Sequence, residues 1–181
     1  MKLFHDVSSV RNFTQKRKNE QKIGLVPTMG ALHPGHLALL EASQKDNDQT
    51  ICSIYVNPTQ FNNPDDLKKY PRTLEGDLEL LEKIGCDAVF CPTDQIMYPP
   101  DQPQLLHLDF GYLNEILEGQ HRPGHFDGVG LVVTKLLNIV QPHRAYFGQK
   151  DLQQLTIIRQ LVREFFIPVE ITSVPIVREA S

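Results

Sequence analysis

Short apolar runs alternate in this chain with stretches of helical period, and that alternation limits its folds more than any other feature. Ile23 to Val26 reads as a buried strand, and Ile51 to Val56, Ala88 to Cys91, Arg144 to Phe147 and Val169 to Val174 read as further strands. Between them, Leu37, Leu39 and Leu40 carry one helix. Leu74, Leu78 and Leu81 carry a second, with Thr73 as its N-cap and Gly85 just past its end. The apolar stripe from Val129 to Val140, bounded by Gly128 and by Gln141-Pro142, predicts a third, and Leu152 to Phe165 a fourth. A further helix, capped by Asp6 and carrying Val7, Val10 and Phe13, precedes the first strand. Successive strands joined by helices pair in parallel. The predicted fold is a doubly wound, Rossmann-like α/β sheet whose ligands bind beyond the carboxyl ends of the strands. The proline-rich segment from Pro92 to Pro103 reads as irregular, and Leu105 to Leu108 as a short edge strand.

A chain of 181 residues suits one domain. Its net charge of −4 argues against nucleic acid as a partner, and the short cluster Lys16-Arg17-Lys18 reads as a solvated helix end. Cys52, Cys86 and Cys91 form no C-x-x-C pair, and an odd number closes no disulfide framework, so a reducing, cytoplasmic setting is expected. The N-terminus carries no apolar signal segment, and no apolar run is long enough to span a membrane.

Three loops that follow predicted strands carry the chemistry. In Pro27 to His36, His33 and His36 flank Pro34-Gly35, a pair of residues suited to the turn into a helix. Free backbone N–H groups and the helix dipole favour an anion there, so the pair reads as a phosphate contact. A metal would need a third ligand that the motif lacks. Two histidines that merely fill a turn are the plain alternative. In Gly148-Gln149-Lys150-Asp151, Gly148 permits close approach and Lys150 offers a compact positive charge to phosphoryl oxygens, unless it is only a surface ion pair with Asp151. Asn57 and Gln60, with Gln153 and Gln154, are neutral amides suited to a small polar acid. Arg122 and His125, in a Gly-Pro loop, are cationic candidates to cover an anion or to face solvent. The P-loop, the G-x-G-x-x-G fingerprint after the first strand and the G-x-S-x-G elbow are all missing from the sequence.

His33-Pro34-Gly35-His36 resembles the H-x-G-H signature of the nucleotidyltransferase superfamily. With Val56-Asn57-Pro58-Thr59-Gln60-Phe61, Tyr70-Pro71-Arg72-Thr73, Leu117-Glu118-Gly119, Arg122 to Phe126 and Phe147 to Gln154, the chain resembles the pantothenate synthetase (pantoate–beta-alanine ligase) family from about Ile23 to Ala180. The resemblance implies ATP-dependent joining of pantoate and β-alanine through a pantoyl-adenylate, with AMP and pyrophosphate released. It implies that Met29, Gly30, Ala31, Leu32, His33, Pro34, Gly35 and His36 bind ATP, with His36 as proton donor and His33 beside the phosphates. Gly148, Gln149, Lys150, Asp151 and Val177 form a second ATP segment, with Lys150 on the phosphates. Gln60 and Gln154 contact pantoate, Gln60 also β-alanine, Asn57 is an active-site amide, and Asp77 is offered as a contact for Mg²⁺. A homodimer is also implied. Thr59 stands where the family more often has Met, and Gln149 where it has Glu. The family continues past Val177-Arg178-Glu179-Ala180 into a Ser-Ser-Arg motif and a smaller C-terminal domain. Residues 1–181 are therefore expected to be an N-terminal ATP- and pantoate-binding domain, weakly active or inactive by itself. Another H-x-G-H nucleotidyltransferase, or a non-catalytic binding or dimerisation module, are the competing expectations.

Overall fold

The computed structural model describes residues 1–178. Among them the chain forms β1 (Lys2–Phe4), α1 (Val7–Gln15), β2 (Ile23–Thr28), α2 (Pro34–Asp46), β3 (Gln49–Ile54), α3 (Pro64–Lys69), α4 (Leu74–Lys83), β4 (Ala88–Phe90), α5 (Asp94–Met97), α6 (Leu117–His121), α7 (His125–Val140), β5 (Arg144–Gly148), α8 (Leu152–Glu164) and β6 (Glu170–Val174). Side chains alternate faces along a strand, and here both faces are buried. Leu25, Ile51, Ala88 and Ala145 enter a core with α1, α7 and α8, while their neighbours Val26, Cys52, Val89 and Tyr146 enter a second core with α2 and α4. The continuous apolar runs in the sequence reflect this double burial.

The strands pair in the order β1-β4-β3-β2-β5-β6, and every pair is parallel. The chain winds outward from β2 through β3 to β4, then returns to β5 on the other side, so the order reverses between β2 and β5. Crevices open at such a switch point. The β2–β5 ladder covers only Gly24↔Arg144 and Leu25↔Ala145, whereas β2 and β3 stay paired through Thr28↔Ile54. Pro27 has no N–H with which to extend a ladder, and the strands part just before it.

Asp6 caps α1 through the Ser9 N–H at 2.8 Å, and Gly85 follows α4 at a φ of 78°. Arg17, in the basic cluster, lies over the Phe13 ring at 4.0 Å. Two expectations are corrected, and one strand had not been expected. Helix α7 starts at His125 rather than after Gly128, because Gly128 lies inside it for packing: a Cβ there would meet the Thr59 carbonyl oxygen at 2.3 Å. Leu105 to Leu108 is not a strand, and Leu105 and Leu106 are 80% and 75% exposed. The edge beside β4 is taken instead by β1, whose three residues gave no periodic signal.

Candidate active site

The turn after β2 is held by its neighbours rather than left open. Gly30 and Ala31 adopt positive φ values of 81° and 51°, which turn the chain sharply out of the strand. Behind them the buried carboxylate of Asp77, on α4, accepts the N–H of Ala31 at 2.9 Å and that of Leu32 at 2.8 Å, and Thr73 Oγ1 donates to it at 3.1 Å. His33 caps α2: its Nδ1 accepts the Gly35 N–H at 3.1 Å, and its carbonyl accepts from His36 and Leu37. The N–H groups expected to meet an anion here are thus engaged within the protein. What the turn presents outward is two imidazoles at the positive end of a helix.

Those rings lie 4.0 Å apart between centroids, 33° from parallel. Gly35 makes this possible, since a Cβ would sit 2.8 Å from His33 Cε1. With His33 Nδ1 accepting, the proton of the neutral ring is on Nε2, facing away from the cap. His36 is half-buried and its Nδ1 has no partner among the described residues. Burial, then the charge of His33, with a smaller push from Lys150 and against the pull of Asp77, lowers its pKa to about 4. His36 is uncharged at neutral pH.

The second loop is a single 3-10 turn over Pro58–Gln60. Asn57 is fully buried; its Nδ2 donates to Gln60 Oε1 and to the Gly128 carbonyl, both at 3.1 Å. Gln60 Nε2 lies 3.1 Å from Met29 Sδ. His125 Nδ1 donates to the Gln60 carbonyl at 2.9 Å, and burial lowers its pKa, so it braces this loop as a neutral group rather than covering an anion. Arg122 is paired with Glu118 at 2.6 Å.

In the third loop Lys150 and Asp151 stand exposed at the start of α8, while Gln149 turns aside, its Nε2 donating to Ser173 Oγ at 3.3 Å. Of the two adjacent amides, Gln153 is used structurally, accepting from the Glu118 N–H and donating to the Leu113 and Ile116 carbonyls. Gln154 faces the crevice.

The three loops meet. A cavity of about 340 Å³ is lined by Met29, His33, His36, Asn57, Gln60 and Gln154, together with Lys150 and Asp151. It shares His33, His36, Lys150 and Asp151 with a second cavity of about 570 Å³, which Pro34, Gly35, Gly148 and Val177 complete. The shared residues put Lys150, Asp151 and the two imidazole edges between a smaller, amide-lined chamber and a larger one. Ala31 and Leu32 contribute backbone to the turn and line neither cavity, and Asp77 lies behind it. Glu179 and Ala180, at the end of the resemblance, lie outside the described residues. Sequence reading missed the apolar wall: Val129, Val132, Val133 and Leu136 were read only as core, yet they also line the first cavity.

The chain is also similar to known proteins over nearly its whole length. The family model described as Pantoate-beta-alanine ligase matches residues 2–181. Pantothenate synthetase of Aquifex aeolicus is 52% identical over 98% of this chain and 62% of its own length, and that of Cytophaga hutchinsonii 52% identical over 92% and 58%. Among solved structures, pantothenate synthetase from Thermus thermophilus superposes with a TM-score of 0.91 at 44% identity, over 99% of this chain and 63% of that one. Pantoate-beta-alanine ligase from Francisella tularensis, solved with beta-gamma ATP and beta-alanine, gives 0.95 at 42% identity, over 99% and 68%. The chain thus spans about three fifths of the length of the curated relatives it matches.

Proposed function

The chain belongs to the pantoate-beta-alanine ligase family, and from that premise we propose that it binds ATP and pantoate for ATP-dependent joining of pantoate to β-alanine. The observation that carries this reading is the convergence of His33, His36, Gln60, Lys150 and Gln154, from three strand-end loops, on one crevice at the switch point of the sheet. In this reading residues 1–181 are the ATP- and pantoate-binding domain of that enzyme.

ATP occupies the larger chamber, against His33 to His36, Gly148, Lys150, Asp151 and Val177, with Met29 to Leu32 and Gln149 in the loops that carry these residues. Pantoate occupies the amide-lined chamber against Gln60 and Gln154. A pantoate carboxylate oxygen attacks the α-phosphorus, the bond to pyrophosphate breaks, and pantoyl-adenylate forms. The amine of β-alanine then attacks the acyl carbon, AMP leaves, and the amine gives up a proton. Lys150 stands where charge gathers on the phosphates, which is where a fixed positive group lowers a barrier most, and the two imidazoles stand beside it. His36 begins uncharged, and a bound triphosphate favours its protonated form, so its role as proton donor is acquired with the nucleotide.

Magnesium is held mainly by substrate phosphates with one or two carboxylates. No group of three ligating side chains is assembled among the described residues. Asp151, exposed in both chambers, fits as the carboxylate, whereas the backbone N–H groups already on Asp77 make it a brace rather than a ligand. The ion would offset phosphate charge there.

The exposed Leu105, Leu106, Tyr112 and Leu117, between α5 and α7, support a homodimer, since such apolar surface is commonly covered by a partner. Among the described residues no helix is long and apolar enough to cross a membrane. The three free, buried thiols support a cytoplasmic setting. Pantoate-dependent exchange of labelled pyrophosphate into ATP tests the first step, and formation of pantothenate with AMP on adding β-alanine tests the second. A stable nucleotidyl product, or no binding of ATP and pantoate in calorimetry, overturns the reading.

A further inference from the structure

The amide of Asn57 has all its hydrogen-bonding capacity in use. Its Nδ2 donates to the Gly128 carbonyl and to Gln60 Oε1, each at 3.1 Å, and its Oδ1 accepts from the Tyr98 hydroxyl at 2.8 Å and from the Thr59 hydroxyl at 3.1 Å. A backbone carbonyl can only accept, so the nitrogen of Asn57 must face Gly128 and its oxygen must face Tyr98. The second N–H of Asn57 then requires an acceptor from Gln60, which turns Gln60 Oε1 inward and leaves Nε2 on the side of Met29 and the crevice. Whether Gln60 offers the crevice a donor or an acceptor is therefore decided by the partners of Asn57, of which Gly128, Tyr98 and Thr59 do not line the cavity.

Tyr98 anchors this chain of contacts. It precedes the Pro99-Pro100 pair, its ring lies under Lys135 Nζ at 4.0 Å, and Lys135 also donates to the carbonyl of Met97. Its hydroxyl lies 3.3 Å from Thr59 Oγ1. Tyr98 is not among the residues that line the site cavity.

We propose that Tyr98 is a positioning residue for acid recognition: its hydroxyl, donated to Asn57 Oδ1, holds the amide in the orientation the Gly128 carbonyl dictates and so steadies, through Asn57, the direction in which Gln60 donates into the crevice. A donor so aimed fits a carboxylate or hydroxyl oxygen. The proposal rests on the reading that this chamber takes pantoate, and the test separates the two.

The test is Tyr98→Phe in the full chain, compared with Thr59→Val, which removes the other donor to Asn57. The side-chain amide signals of Gln60 are followed by NMR without ligand, and pantoate and ATP binding are measured by calorimetry. The expected result for Tyr98→Phe is displaced or broadened Gln60 signals, pantoate binding weakened about threefold to tenfold, and ATP binding unchanged. In Thr59→Val the Gln60 signals stay near those of the wild type. Unchanged Gln60 signals in Tyr98→Phe overturn the proposal, as does an equal loss of ATP and pantoate affinity, or an equal effect of Thr59→Val. A wild-type chain that binds no pantoate overturns the functional reading, and the Gln60 signals then still decide the relay.

Discussion

Asp77 shows how much a single carboxylate can organise when it is buried and forms no ion pair among the described residues. Its oxygens face the N–H groups of two successive residues, Ala31 and Leu32, so it fixes the backbone from which His33 and His36 project. Charge-assisted bonds of this kind are worth about 1.5–3 kcal/mol each. In Asp77→Asn one oxygen becomes an NH₂ group facing a backbone N–H, so both the bond and the fit are lost. The expected outcome is a lower melting temperature and ATP binding weakened roughly tenfold, with each bond lost counting as above. The loss is expected in EDTA as well as in magnesium, and calorimetry under both conditions checks it. A loss confined to magnesium-containing buffer would instead make Asp77 a metal contact. Nothing in the sequence distinguished these duties, since the contact from Asp77 to Ala31 spans 46 positions and leaves no trace in local pattern.

Helix α7 carries much of the site without presenting an obvious catalytic group. Gly128 lets it lie directly on the turn holding Asn57 and Gln60, and Gly130 makes room for the Phe110 ring, 2.6 Å from where a Cβ would be. Gly128→Ala is expected to cost about 1–3 kcal/mol of stability through overpacking and to shift Gln60. Gly76→Ala, where a Cβ on α4 meets nothing within 4 Å, is expected to gain roughly 0.5–1 kcal/mol from helix propensity. Urea unfolding of the two variants checks the contrast. The same glycines explain what could be read in advance. Strands buried on both faces declare themselves as apolar runs, so β2, β3, β4 and β5 were legible to within a few residues, while the half-buried edge strand β6 was legible from its place after α8. A glycine within a helix looks like its boundary, so the first turn of α7 and the role of His125 in it were not. The pair His33 and His36 was legible because its partners are local, whereas the choice of Gln154 over Gln153 depended on which face of α8 meets the segment at Leu113 to Glu118.

For the molecule as a whole, the buried imidazoles predict how acid acts on it. The folded pKa of His36 lies near 4, below the ordinary 6.5, so between these values the unfolded chain binds more protons than the folded one. Stability from this group is full above about pH 6.5 and is lost as pH falls toward 4. His125 is shifted in the same direction by burial. Urea midpoints are therefore expected to fall across that window, and to fall less in His36→Gln; equal slopes for both chains would contradict the assignment. The order of the strands has another consequence, for how the molecule comes into being. Strand β2 pairs on one flank with β3, which follows it closely, but its other flank waits for a partner about 120 positions later, as the contact from Ile23 to His143 records. During synthesis, the histidine turn can take shape against β3 and α4 long before Lys150 exists to face it. Late closure across a long loop is slow, and the waiting flank of β2 is meanwhile an unpaired edge. The crevice thus closes late in the making of the domain, and a newborn chain halted before β5 would carry half a site beside a flank open to pairing with another chain.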